Sequence, residues 1–391
     1  MNNQLRQTSS NKAIQFQESV IREMTRLAAK HGAINLGQGV PDFPCPIEMK
    51  EVASKAIFAD INQYAITFGD KHLRDALARK YSIALGFDID PETEITVTCG
   101  ATEALMASII ALVDPGEEVI IFEPFYENYM PQTILAGASV RYVPLQAPRW
   151  QFNPDALRQA FNDKTRAIIV NTPHNPTGKI YTANELSLIA ELCQKWGVFL
   201  ITDEIYEHIL YDGARHVYPA SLPGMRDLTV TITGLSKTYS LTGWRIGWTI
   251  ANKEVTTAIR KVHDFLTIGA AAPLQRAAAL GVSFPSSFYL NLAQEYALKR
   301  QYMMETLDKI GIPYFKPEGA YYVLCDISKF GYVSSIDFAK NLMEKVGVAV
   351  IPGTSFFTSN SREAQAFVRF CYSRKQSTLE AARERLWKNK I

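Results

Sequence analysis

The 391-residue sequence lacks several features that define specialised classes of protein. Its 41 basic and 39 acidic residues leave a net charge of +2, which provides no basic excess to neutralise nucleic-acid phosphates. No apolar run is long enough to span a bilayer, and the N-terminal segment has no apolar stretch typical of a secretory signal. The five cysteines are scattered, without a CxxC pair, and the six histidines form no HExxH motif. We therefore expect a globular cytoplasmic protein that holds no metal and binds neither nucleic acid nor membrane.

Short β-branched segments alternate with helical or loop segments through the middle of the chain. This alternation predicts an α/β fold, with parallel strand pairs in a sheet and helices on both faces. The predicted strands are 94–98, 117–122, 165–170, 197–202, 228–233 and 245–251. The predicted helices in this part and before it are 17–31, 47–59, 71–85, 101–112 and 183–195. The short gap before the strand at 245–251 favours a tight excursion over a full helix.

The pattern changes after about residue 283. The predicted elements there are a helix at 285–309, a strand at 321–327, a helix near 335–346, a strand at 367–373 and a final helix. Ser377 and Glu380 have capping-box spacing ahead of that final helix. We predict an arm and helix at 1–45 that join the smaller domain, a large domain at 46–282, and a smaller α+β domain at 283–391.

Lys237 lies between a strand that reads as buried and a glycine-rich turn. A lysine placed there can lose solvation, which lowers its pKa and frees its amine for Schiff-base chemistry. Ser236 and Arg245 could together hold one anionic group. Taken alone, the same residues are more typical of a surface lysine after a strand.

Three further polar residues follow predicted strands, at the edge where open α/β sheets bind ligands. Asp203 and Tyr206 follow the strand at 197–202, where the carboxylate could pair with a protonated pyridine nitrogen and the phenol could reach a ring oxygen. Asn175 follows the strand at 165–170. The alternatives are a helix-capping aspartate with a packed tyrosine, and an Asn-Pro turn. We expect neighbouring His174 to be a turn residue rather than a catalytic base.

The turn Gly100, Ala101, Thr102 joins a predicted strand to a helix. Free N–H groups at a helix start, together with a hydroxyl, can bind phosphate, although an ordinary βα turn has the same composition. Tyr126 follows another strand and could lie over a flat ring, or it could be a core aromatic residue.

The motifs GATEAL, EPFYENY, NTPHNPTGK, TDEIYEH, SKTYSLTGWRIGW and VRFCYSR occur in this order. The ordered set resembles the fold-type I aminotransferases of class I/II, which depend on pyridoxal phosphate, and the resemblance extends from about residue 17 to the C-terminus. The segments LGQGVPDFP and NQYAITFG are most similar to the branch that contains kynurenine aminotransferase, glutamine transaminase K and bacterial methionine aminotransferase. The resemblance implies a large domain with a mixed, mostly parallel sheet flanked by helices, and a smaller α+β domain.

The resemblance also implies a role for each candidate residue. Lys237 would bind pyridoxal 5'-phosphate covalently and later shuttle a proton, while Asp203 would keep the ring nitrogen protonated. Arg369, with Gly39 and Asn175, would bind the substrate α-carboxylate. Tyr64 would reach the phosphate of the neighbouring subunit in a homodimer. The remaining cofactor contacts would be Asn175 and Tyr206 on the ring hydroxyl, Tyr126 on the ring face, and Gly100, Ala101, Thr102, Ser236 and Arg245 on the phosphate.

The departures from the family pattern bear on the substrate. Relatives that accept dicarboxylic amino acids often have lysine at the position of Thr102, and kynurenine aminotransferases have an aromatic residue at the position of Ile21. Those kynurenine enzymes also carry a Phe-His pair near the stretch that here reads LTIGAAAP. The missing lysine argues against an aspartate donor, and the aromatic clamp for kynurenine is partly missing, so methionine and other neutral or aromatic amino acids are the better candidates. We expect ping-pong transfer from an amino acid of the methionine, phenylalanine, glutamine or kynurenine type to a 2-oxo acid.

Several other activities stay open or are disfavoured. A carbon–sulfur β-lyase would use the same residues, and an aspartate-type aminotransferase is a further alternative. A cofactor-binding regulator would need a DNA-binding module, which the sequence does not suggest. A nicotinamide-dependent dehydrogenase is disfavoured because no GxGxxG motif follows a strand.

Overall fold

Alternating strands and helices dominate the computed structural model, which describes residues 9–358 and 361–389. The strands are β1 (Ile34–Asn35), β2 (Ile95–Thr98), β3 (Glu118–Glu123), β4 (Ser139–Gln146), β5 (Gln151–Phe152), β6 (Thr165–Asn171), β7 (Phe199–Asp203), β8 (Thr229–Gly234), β9 (Gly247–Ile250), β10 (Tyr314–Phe315), β11 (Tyr322–Asp326), β12 (Val348–Ala349), β13 (Ile351–Pro352) and β14 (Phe367–Cys371).

The α-helices are α1 (Val20–Lys30), α2 (Ile47–Phe58), α3 (Lys71–Leu85), α4 (Ala101–Leu112), α5 (Tyr129–Leu135), α6 (Pro154–Ala160), α7 (Ala183–Trp196), α8 (Leu235–Thr238), α9 (Lys253–Thr267), α10 (Ala272–Val282), α11 (Ser286–Ile310), α12 (Ser335–Asn341), α13 (Glu363–Ala366) and α14 (Gln376–Lys388). A π-helical turn at Leu342–Val346 extends α12. Among the described residues, no helix is long and apolar enough to cross a membrane.

Eight strands form one sheet in the order β2-β9-β8-β7-β6-β3-β4-β5. The five strands from β8 to β4 are mutually parallel, whereas β9 is antiparallel to both of its neighbours. The predicted α/β fold with a mixed, mostly parallel sheet is therefore confirmed. The segment between β8 and β9 holds the four-residue helix α8 and a 3-10 turn, which confirms the expected tight excursion.

Side chains of the central strands alternate between two apolar layers. On β3, Val119 and Ile121 face a core that also contains residues of α4 and α9, whereas Ile120 and Phe122 face a core that includes α7. Helices therefore cover both faces, as a parallel sheet requires.

The C-terminal part builds a separate antiparallel sheet in the order β10-β11-β14-β13. Strand β1, near the N-terminus, pairs in parallel with β12, which lies in the C-terminal part of the chain. Asp42 also reaches this part of the molecule: its carboxylate accepts hydrogen bonds from the Lys375 N–H and from the Thr378 hydroxyl (2.7 Å).

That contact explains why the predicted capping box of Ser377 and Glu380 is wrong. Helix α14 begins at Gln376, one residue before Ser377, and its cap residue Lys375 makes no side-chain capping bond. Because the carboxylate of Asp42 satisfies this end of the helix from a distant part of the chain, no local cap is required.

Six elements of the large sheet and its surroundings were not predicted: β4, β5, α5, α6, α9 and α10. Strand β4 contains Pro144, which removes one ladder donor and weakens the strand signal. Helix α10 is rich in alanine and begins beside Pro273, so it carries little polar–apolar contrast.

Candidate active site

Most of the predicted site residues meet in one cavity at the carboxyl edge of the eight-stranded sheet. The segments that follow β2, β3, β6, β7 and β8 converge there because these strands run in the same direction. The cavity has a volume of about 700 Å³. Its walls include Gly39, Ala101, Thr102, Tyr126, Asn175, Asp203, Tyr206, Ser236, Lys237, Arg245 and Arg369.

Two predicted residues are not part of that wall. Gly100 directly precedes the wall residue Ala101. Tyr64 lies outside the cavity of its own chain, and its side chain is 81% exposed.

Lys237 lies on α8, directly after β8. Its Nζ donates a hydrogen bond to the backbone carbonyl of Gly39 (2.8 Å), which also accepts one from the Tyr321 hydroxyl (3.0 Å). Burial lowers the pKa of Lys237 from 10.5 to about 8, and the guanidinium groups of Arg369 and Arg245 act in the same direction. A substantial fraction of this amine is therefore neutral near physiological pH, the state in which lysine is a nucleophile and a base.

Asp203 ends β7 and is buried. Burial raises the pKa of its carboxyl group, and a hydrogen bond from the Tyr129 hydroxyl to Oδ2 (2.7 Å) opposes that rise. The sequence analysis missed Tyr129. Its position three residues after Tyr126, in the same motif, is the only sequence signal that could have pointed to it.

Asn171 is a second residue that the sequence analysis missed, although it opens the motif NTPHNPTGK. Its Nδ2 donates to the backbone carbonyl of Asp203 (2.8 Å), and its Oδ1 accepts from the N–H of Asn175 (2.7 Å). One buried side chain therefore fixes the relative positions of the ends of β6 and β7.

Arg369 lies on β14 and is 1% exposed. Its Nη1 donates to Oδ1 of Asn175 (2.6 Å) and its Nη2 to the carbonyl of Gly37 (2.8 Å). Its Nε has no hydrogen-bond partner among the described residues. The guanidinium group also lies over the ring of Tyr322, with 4.0 Å between its carbon and the ring centroid. Arg369 is part of the cavity wall, and its protein partners do not use all of its N–H groups, which suits this buried cation to bind a carboxylate.

Tyr206 and Tyr322 join the two sides of the cavity. Their hydroxyl groups are 3.0 Å apart, and both side chains are buried. The Tyr322 hydroxyl lies so close to Gly39 that a side chain at position 39 would overlap it. A side chain at this position would therefore force the loop or the tyrosine to move.

The start of α4 and the segment 236–245 form a group of anion donors. The first N–H groups of a helix have no acceptor within the helix, and the first two residues of α4, Ala101 and Thr102, lie on the cavity wall. Gly100 has a φ of 85°, and a side chain there would overlap the guanidinium group of Arg245. Arg245 donates to the carbonyl of Thr242 (2.9 Å). Two independent constraints, backbone conformation and space, thus require glycine at position 100.

In the sequence, Tyr126 precedes Tyr129 and Gln132 follows it. The ring of Tyr126 meets that of Tyr129 edge-on, with centroids 5.7 Å apart and an angle of 84°. Nε2 of Gln132 donates to the carbonyl of Thr102 (3.0 Å). Residues 126–132 thus contact both Asp203 and the start of α4.

His174 is buried within a turn and is not part of the cavity wall. Its Nδ1 lies 2.8 Å from the Thr177 hydroxyl, and burial lowers its pKa to about 3. His174 therefore stays neutral, and its contacts indicate a structural role in this turn. Among residues 9–358 and 361–389, no group of three or more His, Cys, Asp or Glu side chains is arranged to hold a metal ion.

Comparison with known proteins identifies the class to which this fold and site belong. The sequence model of the family described as aminotransferase class I and II matches residues 31–386. The chain belongs to this family, and the protein is an aminotransferase.

The relatives are similar over almost the whole chain. Kynurenine–oxoglutarate transaminase 3 of Rattus norvegicus is 39% identical over an alignment of 405 positions, which covers 95% of this chain and 89% of that protein. The structure of N-succinyldiaminopimelate aminotransferase from Mycobacterium tuberculosis superposes with a TM-score of 0.94 at 38% identity, covering 97% of this chain and 99% of the other. YbdL of Escherichia coli, for which a methionine aminotransferase function was identified, has a TM-score of 0.93 at 34% identity, with 98% and 100% covered. The predicted resemblance to the kynurenine and methionine aminotransferases is confirmed.

Proposed function

We propose that the protein uses pyridoxal 5'-phosphate to transfer the amino group of a neutral or aromatic amino acid to a 2-oxo acid. The observation that carries this proposal is the convergence of Lys237, Asp203 and Arg369 on one cavity. A half-buried lysine with a lowered pKa, a buried carboxylate and a buried guanidinium group are the three chemical functions that this reaction needs.

The residues present fit the cofactor. The space in front of Gly100 is shared by the Arg245 guanidinium group and the free N–H groups at the start of α4, a donor set suited to a phosphate. Ser236, Ala101 and Thr102 would complete that phosphate site. When bound, the cofactor supplies an electron sink for the bonds at the substrate Cα.

The cofactor ring would lie between groups of distinct chemistry. Asp203 would pair with the protonated ring nitrogen, and Tyr126 would cover one face of the ring. Asn175 would offer its Nδ2 protons to the ring oxygen, because its Oδ1 already accepts from Arg369. Tyr206 would bind the same oxygen through its hydroxyl group.

The substrate would be held by its α-carboxylate on Arg369, close to Gly39. The overlap of any side chain at position 39 with Tyr322 is consistent with a backbone that must approach other groups closely. Nζ of Lys237, held at the Gly39 carbonyl, would then remove the proton from the substrate Cα and return it later in the reaction. A second 2-oxo acid would use the same groups in reverse, which gives ping-pong kinetics.

The preference for a neutral or aromatic donor rests on the apolar part of the cavity wall. This part includes Ile21, Val40, Leu105, Met106, Leu135 and Leu266. Thr102 adds no charge at the start of α4.

A dicarboxylic substrate is a second candidate, and Arg22 favours it. Arg22 also lies on the cavity wall, and its side chain forms no hydrogen bond or ion pair within residues 9–358 and 361–389. A guanidinium group in that position could bind a distal carboxylate. Replacement of Arg22 by glutamine would then raise the KM for dicarboxylic substrates and leave the KM for methionine unchanged.

We further propose that the site is completed in a cytoplasmic homodimer. Exposed apolar side chains cluster on two adjacent segments, 57–68 and 265–268, with Phe58 86%, Tyr64 81% and Phe265 92% exposed. The segments are joined by His263, whose Nε2 lies 2.7 Å from the carbonyl of Thr67. Apolar surface of this kind next to a cavity is typical of a subunit interface. In the dimer, Tyr64 of one subunit would reach the phosphate in the other.

Sedimentation tests the dimer. Replacement of Phe265 by aspartate is expected to give a monomer that binds the cofactor weakly, whereas the same change at Val333, which is 91% exposed in the C-terminal part, is expected to leave the dimer intact. A wild-type monomer with full activity would overturn this part of the proposal.

The reaction itself is tested by the visible absorption spectrum of the purified protein. Addition of methionine without an oxo acid is expected to convert the bound cofactor to its pyridoxamine form. The same experiment with phenylalanine, glutamine, kynurenine, aspartate and glutamate ranks the donors. Persistence of the original band, with pyruvate released from a cysteine conjugate, would indicate a β-lyase instead.

A further inference from the structure

The hydroxyl group of Tyr129 contacts Asp203, but the proposed reaction gives Tyr129 no role. Tyr129 is 2% exposed and begins α5, and its hydroxyl donates to Oδ2 of Asp203 at 2.7 Å. Burial and the neighbouring carboxylate raise the pKa of this phenol well above its usual value. The phenol therefore stays protonated, and Tyr129 acts as a donor to Asp203 at every working pH.

We propose that Tyr129 is a positioning residue that holds Asp203 as an oriented, ionised carboxylate for the cofactor ring nitrogen. This inference rests on the proposed function of Asp203. A buried carboxylate that accepts few hydrogen bonds tends to protonate, and a protonated Asp203 could not keep the ring nitrogen charged. The hydrogen bond from Tyr129 stabilises the ionised form and fixes one of the two carboxylate oxygens.

The other groups around Asp203 provide little substitute for this bond. The Ile205 N–H is 3.3 Å from Oδ1, a long contact, and Lys237 acts on Asp203 through its charge rather than through a hydrogen bond. The charge of the neighbouring Glu204 raises the pKa of Asp203 and so opposes ionisation. The carboxylate of Glu204 itself contacts His216 and Thr202. The phenols of Tyr126 and Tyr206 form no hydrogen bond with Asp203.

The test compares binding of pyridoxal phosphate to the apoenzyme of four proteins: wild type, Tyr129→Phe, Asp203→Asn and the double variant. Tyr129→Phe keeps the buried ring and removes only the hydroxyl. We expect its dissociation constant to rise about tenfold, the loss typical of one hydrogen bond to a charged group. Without that bond the pKa of Asp203 rises, so binding should also begin to weaken at a higher pH than in the wild type, in a titration from about pH 8 to about pH 5.

The double variant separates positioning from packing. If Tyr129 acts through Asp203, the change to phenylalanine adds nothing once Asp203 is asparagine, because the two effects are not additive. Tyr181→Phe is the matched control: Tyr181 is also buried, but its hydroxyl has no hydrogen-bond partner among the described residues, and Tyr181 is not part of the cavity wall. We expect this control to bind the cofactor as the wild type does.

The outcomes distinguish the two proposals. Wild-type affinity and pH dependence in Tyr129→Phe, while Asp203→Asn binds weakly, would overturn the role of Tyr129 alone. An equal loss from Tyr129→Phe in both backgrounds would also overturn it, because it would show that the phenol acts through packing. Wild-type binding by Asp203→Asn would instead overturn the proposed function of Asp203.

Discussion

Two regions of the molecule form the cavity, and they are held in place in different ways. In the first, the strand-end region, the segments that follow β2, β3, β6, β7 and β8 are aligned by the backbone ladder of the large sheet. Asn171 lies directly opposite Asp203 in that ladder, and Asp203 lies opposite Ile232. The relative positions of these residues are therefore fixed by the hydrogen bonds between strands.

The second region is the N-terminal loop, residues 35–42, which is held by side chains from the far end of the chain. Arg374 is 5% exposed and donates to the carbonyls of Asn35 (2.8 Å), Gln38 (2.7 Å) and Val40 (2.5 Å). Arg369 donates to the carbonyl of Gly37 within the same loop. Two arginine side chains thus bind four carbonyl groups of this loop.

The difference indicates which half of the site tolerates change. Groups that we assign to the cofactor lie on the strand-end region, where one substitution leaves the backbone ladder intact. Groups that we assign to the substrate carboxylate depend on the loop, on β14 and on a few charged hydrogen bonds. Substitutions in the two regions should therefore affect cofactor binding and substrate binding separately.

The largest effect is expected in the strand-end region from Lys237→Ala. Without the amine, no group at this position can bind the cofactor covalently or move the substrate proton. We expect kcat to fall at least about a thousandfold, measured by oxo-acid formation from methionine. Replacement of the surface residue Lys195 by alanine is the control, and full transamination by Lys237→Ala would contradict the assignment.

Arg369→Lys should produce the next largest effect, mainly on substrate binding. A lysine keeps the charge but loses the planar pair of donors, so it cannot hold both a carboxylate and Oδ1 of Asn175. We expect the KM for the amino acid to rise about a hundredfold, with cofactor affinity within about twofold of wild type. A parallel loss of cofactor affinity would mean that the two regions are not separable.

The sequence predicts the strand-end region better than the N-terminal loop, because the loop is held by contacts between distant parts of the chain. Asp203, Asn175 and Lys237 follow strands whose β-branched pattern is local, so their common edge could be inferred from the order of elements. The role of Asn171 and Tyr129 as hydrogen-bond partners could not be inferred, because each contact joins elements that are far apart in the chain: two strands for Asn171, and a helix and a strand for Tyr129. The N-terminal loop is less predictable still: Arg374 and the carbonyl of Asn35 are 339 residues apart.

The predicted fold class has been confirmed, whereas the predictions for the site residues have not been tested. The fold class and the family are established, whereas the division at residues 45 and 282 and the role of each site residue stay predictions. The pairing of β1 with β12 is consistent with an N-terminal arm that belongs with the smaller domain. The failed capping box of Ser377 illustrates the limit of local pattern, because Asp42 had already satisfied that helix end.

Gly39→Ala tests how closely the loop approaches the opposite wall. The added methyl group would overlap the Tyr322 hydroxyl, so either the loop or the tyrosine must move. We expect the KM for the amino acid to rise about tenfold, because the carboxylate site is displaced.

The double variant Gly39→Ala with Tyr322→Phe supplies the control for that prediction. Removal of the hydroxyl relieves the closest overlap, so part of the lost affinity should return. If the double variant is no better than Gly39→Ala alone, the overlap with this hydroxyl is not the cause of the defect.

The smallest effect concerns the Lys237 amine, because charged groups of both regions lower its pKa. Burial, Arg245 and Arg369 together lower its pKa to about 8, and only the neutral amine attacks an aldehyde. The rate at which the apoenzyme takes up pyridoxal phosphate should therefore rise with pH and level off above about pH 9. At the usual lysine pKa of 10.5, only about 0.3% of the amine would be neutral at pH 8.

Arg369→Gln removes one of the cations that lower this pKa, so the midpoint of the uptake curve should move to higher pH by a fraction of a unit. Stopped-flow absorbance measures the curve, and uptake of pyridoxamine phosphate, which has no aldehyde, controls for other titrating groups. An uptake rate that keeps rising beyond pH 10 in the wild type would mean that Lys237 is not desolvated. A midpoint that does not move in Arg369→Gln would mean that the charge on β14 does not act on the amine, and that the strand-end region alone sets its reactivity.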